Sequence, residues 1–72
     1  MTTKELNSRL KETRLVCDEY YDYGRDDITY DAWLEYKRKD GKWGVLHQLG
    51  KFTEERFAVE SALKKIQMDG LK

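Results

Sequence analysis

Asp40-Gly41, set between two runs of alternating side chains, is the feature that most restricts how this chain can fold. From Ile28 the residues Ile28, Tyr30, Ala32, Leu34 and Tyr36 alternate with Thr29, Asp31, Trp33, Glu35 and Lys37, the two-residue rhythm of a strand. Lys39-Asp40-Gly41-Lys42 then supplies a tight turn, because Asp-Gly suits the positive φ that a two-residue primed hairpin needs at both central positions. The turn predicts strands near residues 28–38 and 42–49, with Tyr36 facing Val45, Leu34 facing His47 and Ala32 facing Leu49. In that register Trp43, Val45, His47 and Leu49 share the first strand's apolar side, while Trp33, Glu35, Lys37, Lys39, Leu46 and Gln48 face outward. A short helix over residues 30–39 is the competing reading of the same run.

Helical spacing flanks the hairpin on both sides. Thr2 with Glu5 three positions on forms a capping-box pattern, and Leu6, Leu10, Thr13, Cys17, Tyr20 and Tyr21 fall on one stripe as far as Gly24. This predicts an amphipathic helix over residues 3–22, with Glu5–Arg9 and Arg14–Asp18 as i,i+4 pairs and with Leu15 and Tyr23 off the stripe. After Gly50, Thr53 is a fitting N-cap, Phe52 and Phe57 match a hydrophobic staple, and Val59, Ala62, Leu63 and Ile66 form a second buried stripe that Asp69-Gly70 ends. The expected fold is α+β, a single small domain over residues 1–72 in the order helix, β-hairpin, helix (α-β-β-α), with both helices packed on one face of the hairpin.

No staple supports so small a core. Seventy-two residues bury only about 60% of the surface the unfolded chain exposes. Cys17 is the one cysteine and His47 the one histidine, which excludes an internal disulfide and a Cys/His zinc cluster and predicts a reducing, cytoplasmic setting. The chain has neither an apolar run long enough to span a bilayer nor a secretory signal at Met1–Glu5, so no membrane association is expected. With 14 basic and 14 acidic side chains the net charge is zero, which removes any overall drive toward nucleic acid. The distribution is uneven: counting Lys and Arg against Asp and Glu, residues 1–16 carry +2, 17–31 carry −5, 32–52 carry +3 and 53–72 carry 0.

Catalysis is not expected. The sequence offers no glycine-rich phosphate loop, no histidine pair for a metal, no nucleophile elbow and no relay partner for His47. Opposite Leu34, His47 reads as a packed, hydrogen-bonded histidine, and Cys17 as a buried structural thiol. No catalytic residue, metal site or cofactor is therefore assigned.

The segment from Cys17 to Asp31 is the most unusual. Six acids interleave with four tyrosines, and Asp18, Glu19, Tyr20, Asp22, Tyr23, Asp26, Asp27 and Tyr30 are the candidate protein-binding residues. Tyrosine brings large amphipathic contact area, and the carboxylates can oppose a basic surface on another protein. The plainer account makes Tyr20 and Tyr21 core and the acids a solvated face. Lys37, Arg38, Lys39 and Lys42 around the hairpin tip are the alternative, a small nucleic-acid-binding patch near Trp33 and Trp43, although lysine on strands also guards against edge pairing. Trp33 and Leu46, both predicted outward, are the candidates for a homodimer interface.

The run Asp40-Gly41-Lys42-Trp43 followed by Gly50-Lys51-Phe52-Thr53-Glu54-Glu55 resembles the hairpin-to-helix step of the arm-binding domains of tyrosine recombinases, over less than half the chain. The helix, strands, helix order is similar to double-stranded-RNA-binding domains, whose last helix begins on lysines where this chain has Thr53-Glu54-Glu55. The expected function is a small non-enzymatic protein-binding module, a regulator or inhibitor acting through the acidic-tyrosine surface. Small stand-alone regulators of this size are common in phage and mobile-element genomes.

Overall fold

A computed structural model describes residues 1–72 as α1 (Thr3–Asn7), β1 (Thr13–Asp22), β2 (Asp27–Lys37), β3 (Trp43–Phe52) and α2 (Glu55–Asp69). The strands form an antiparallel meander in the order β1-β2-β3, and both helices lie against one face of it. The order is thus α-β-β-β-α, with a three-stranded sheet in place of the expected two-stranded hairpin.

The extra strand comes from the segment predicted as a long first helix. Only Thr3–Asn7 is helical, closed at its start by the expected capping box in which Thr2 Oγ1 accepts from the Glu5 amide at 3.2 Å. Residues 13–22 are rich in β-branched and aromatic side chains, and Thr13, Leu15 and Cys17 also satisfy a strand's alternation. Their helical spacing was a coincidence of two periods. Leu15, expected off the apolar stripe, is one of the largest fully buried side chains. Arg14 pairs across the sheet with Glu35 instead of along a helix with Asp18. Asn7 fixes the outer edge of β1: its side-chain amide donates to the Leu15 carbonyl at 2.9 Å, and its carbonyl oxygen accepts from the Leu15 amide at 2.7 Å.

The predicted hairpin is present, with a different turn. Arg38 donates to the Lys42 carbonyl at 2.7 Å and accepts from the Gly41 amide at 3.0 Å, so Lys39, Asp40 and Gly41 form a three-residue loop. Gly41 alone is left-handed, at φ 86°, which is the bulged turn in which the last loop residue must tolerate positive φ. The added residue moves the register by one, so Lys37 faces Trp43, Tyr36 faces Gly44 and Glu35 faces Val45. A bulge between Leu34 and Glu35 restores the predicted Leu34–His47 pair, and a second sets Ala32 opposite Gly50 instead of Leu49. Trp43 and Val45 therefore turn away from the helices. Leu46 does the reverse, packing against the core, and so leaves the outward face on which it was predicted.

α2 begins one residue later than predicted. Glu54 is the N-cap and makes no side-chain cap bond, so Thr53 is not the cap and the staple positions fall on Thr53 and Ala58 instead of Phe52 and Phe57. Ala58, Val59 and Ala62 are buried, Leu63 and Ile66 pack at their border, and Gly70 closes the helix as expected. With Leu6, Leu15, Ala32 and Leu34 they form a single core between the helices and the sheet. Neither helix is long and apolar enough to cross a membrane.

Candidate functional site

The core sits on one side of the sheet, so strand alternation sorts the Cys17–Asp31 residues onto two surfaces. Glu19 and Tyr30 pair across β1 and β2 on the helix side, as do Tyr21 and Ile28. Tyr30 lies close to the start of α2: partial desolvation and the carboxylates of Glu19, Glu55 and Glu54 push its phenol above the ordinary value. Glu54 and Glu55 thus join this group, which sequence spacing alone could not have shown. Asp18, Tyr20, Asp22 and Asp27 go to the opposite, uncovered face, together with Asp31.

Between the two surfaces runs the β1–β2 connection. Tyr23 is 88% exposed and packs edge-on to Tyr21, with ring centroids 4.9 Å apart and planes at 70°. The Tyr21 hydroxyl donates to Asp26, which raises its pKa. Asp26 itself is held left-handed at φ 56°, a conformation aspartate tolerates better than most residues. The Asp22 carboxylate accepts from the Gly24 amide at 2.9 Å, and Arg25 donates to the Thr29 hydroxyl at 2.6 Å. The segment is therefore a turn braced by its own side chains. Tyr21, which sequence reading placed in the core, is part of the exposed cluster.

The uncovered face has apolar and aromatic groups at its centre. Val16 pairs with Trp33, and Trp33 with Gln48. The Trp33 indole donates to Glu35 Oε2 at 3.1 Å, Arg14 Nε donates to Glu35 Oε1 at 2.7 Å, and the Arg14 guanidinium lies 4.2 Å over the Trp43 ring. Trp33, ahead of Arg14, holds the Glu35 carboxyl below its usual range despite partial desolvation. Toward the acidic end the order is Asp18 opposite Asp31, Tyr20 opposite Thr29, and Asp22 opposite Asp27. Lys51 faces Asp31 from β3, and Tyr20, then Asp31 and Asp22, raise its pKa. Trp33 is outward as predicted. Trp43 and Val45 are the members that the predicted turn hid.

Lys37, Arg38, Lys39 and Lys42 gather at the far tip of the β2–β3 hairpin, where the first three line a shallow depression with Tyr36 and Asp40. Arg38 lies 3.7 Å from Asp40. The molecule is 40 × 23 × 19 Å, and the acidic connection and the basic tip occupy opposite ends of its strands.

The one histidine and the one cysteine both lie on the helix side of the sheet. His47 stands opposite Leu34 on the helix side, with Nε2 3.0 Å from Asp69 Oδ2, and Lys65 Nζ lies 3.4 Å from the same oxygen. Cys17 is half-buried beside α1 and α2; burial, then the Glu55 charge, pushes its thiol up, with the Thr3 hydroxyl acting against them. An elevated thiol pKa is the reverse of what a nucleophile needs. Comparison of the chain with protein-family models, curated proteins and solved structures finds no match.

Proposed function

We propose that this chain is a non-enzymatic protein-binding module whose acidic-tyrosine end receives a basic surface of another protein. The observation that carries this reading is the exposed Tyr21–Tyr23–Asp26 cluster, braced by an edge-on ring contact and a hydroxyl–carboxylate bond. A tyrosine as exposed as Tyr23 adds little to the fold. Held in one place by its neighbour, it offers aromatic area at reduced entropic cost, which is what an interface anchor requires. Glu19, Glu54 and Tyr30 extend the surface toward α2, and carboxylates around aromatic anchors favour lysine and arginine on the partner.

The second reading, nucleic-acid binding at the hairpin tip, is supported by the clustering of Lys37, Arg38 and Lys39 in one depression. Against it, Asp40 lies 3.7 Å from Arg38 at the same tip and partly offsets it. One experiment separates the two. Photo-crosslinking from position 23 in the native host should yield an adduct with a basic protein that Glu19→Gln with Asp26→Asn abolishes and Lys39→Glu with Lys42→Glu preserves. The reverse pattern, with retention of labelled oligonucleotide that falls steeply with salt, would replace the protein-binding reading by the nucleic-acid one.

A further inference from the structure

The helices cover one face of the sheet and leave the other without an intramolecular partner. Its charges are ordered along the strands. Starting from Trp33 and moving toward the β1–β2 connection, the successive rows are Asp18–Asp31, Tyr20–Thr29 and Asp22–Asp27. Moving the other way they are Arg14–Glu35, then Lys37–Trp43, then the tip with Lys39 and Lys42. Acid therefore prevails at one end, where Lys51 faces Asp31 and Arg25 lies 3.7 Å from Asp27, and cation prevails at the other, with the apolar Val16, Trp33 and Val45 between them.

We propose that this face docks a second copy of the chain, related by a two-fold axis that lies between the sheets and crosses the strands near Trp33, to close a six-stranded sandwich. This assignment goes beyond the basic-partner reading and uses the other side of the acidic end, leaving Glu19, Tyr23 and Tyr30 outside. Such an axis reverses the strand direction, so each row meets its opposite number. Asp18 of one copy stands over Arg14 of the other and Asp27 over Lys39, while Asp31 stands over Glu35, each of these two carboxylates already facing a cation of its own sheet, Lys51 and Arg14. A parallel stacking would set acid on acid. The charge gradient is self-complementary only in the reversed arrangement, as a two-fold interface demands.

Two further features suit the face to burial. Its central polar groups are already paired, since Glu35 accepts from both Arg14 and Trp33, so covering them leaves no uncompensated charge. Val45, within β3, is 54% exposed. Three strands about 4.8 Å apart and about 33 Å long present roughly 500 Å² per copy. The resulting total of about 1,000 Å² is at the lower limit for specific association, so the dimer is reversible and weak. A strand of single nucleic acid stacking on Trp33 and Trp43 is disfavoured by Asp18, Asp31 and Glu35 on the same face.

Sedimentation equilibrium from micromolar to millimolar protein tests the proposal. The expected result is a reversible monomer–dimer equilibrium that weakens with salt, with tryptophan emission shifting blue as dimer forms. Asp18→Lys with Asp27→Lys should weaken self-association by roughly tenfold or more, and Arg14→Glu with Lys39→Glu should do the same. Mixing the two double variants should restore a heterodimer, because each reversed end then meets its complement, a rescue that a misfolded variant cannot give. Failure of rescue with both variants folded by circular dichroism, a monomer at every concentration, or tryptophan quenching by an oligonucleotide on a monomer overturns it. None of these outcomes bears on the crosslink from position 23, so the two readings fail separately.

Discussion

The Arg14 guanidinium stacks 4.2 Å over the Trp43 ring while it also bonds Glu35, tying the first and third strands together across the second. Neither residue was predicted to be near the other. Arg14→Ala should cost about 1 kcal/mol, a figure held down by the partial exposure of the arginine, and should shift Trp43 emission to the red. Arg14→Lys should recover only part of the loss, since a point charge cannot reproduce the planar fork or the stacking. Chemical denaturation followed by tryptophan fluorescence reads both effects.

Glu35 sets a pH dependence of definite sign. Its folded carboxyl is held down by the Trp33 indole and Arg14, so its contribution is present above the unfolded value of about 4.3 and is lost as pH falls through the lower folded value. The stability difference between the native chain and Glu35→Gln should be constant from neutral pH to about pH 5 and shrink below about pH 4. A difference that grows on acidification would show that the carboxyl is not the favoured species.

The second half of the fold was legible because its local signals agreed with its tertiary role: Asp40-Gly41 marked the hairpin, and Val59, Ala62 and Gly70 marked the buried face and end of α2. The first half was not, because Thr13, Cys17 and Tyr21 fit both a helical and an alternating count, and only pairing with the edge of β2 decides between them. Turn length is equally silent in sequence. Asp-Gly serves a two-residue primed turn and a three-residue bulged turn alike, yet the choice moved Trp43 and Val45 from the expected core face to the uncovered one. The acidic-tyrosine segment was visible as composition; its division between two surfaces follows from strand alternation, which the helical reading of residues 3–22 concealed.

Asn7 substitutes for a fourth strand at one position. Its amide pairs with both backbone groups of Leu15, whose side chain is buried, so Asn7→Ala leaves a donor and an acceptor without their partners. The expected loss is about 1–3 kcal/mol. Hydrogen exchange should speed up at the Leu15 amide in particular, and unchanged protection there would show that this bond does not hold the edge.

Asp18 opposite Asp31 is a like-charge cross-strand pair, an arrangement that weakens a sheet and that Lys51, facing Asp31 from β3, offsets in part. Asp18→Lys converts it to an attractive pair and should stabilise the monomer by about 0.5 kcal/mol, or roughly 2–4 °C in melting temperature for a domain of this size. The same change places a cation over Arg14 of a second copy and should weaken the dimer. Stability and self-association therefore move in opposite directions, as expected where a costly charge is kept for binding. Thermal melts at micromolar concentration, where the monomer prevails, isolate the first effect. A lower melting temperature there would mean that Asp18 supports the fold, and its placement would need no explanation from binding.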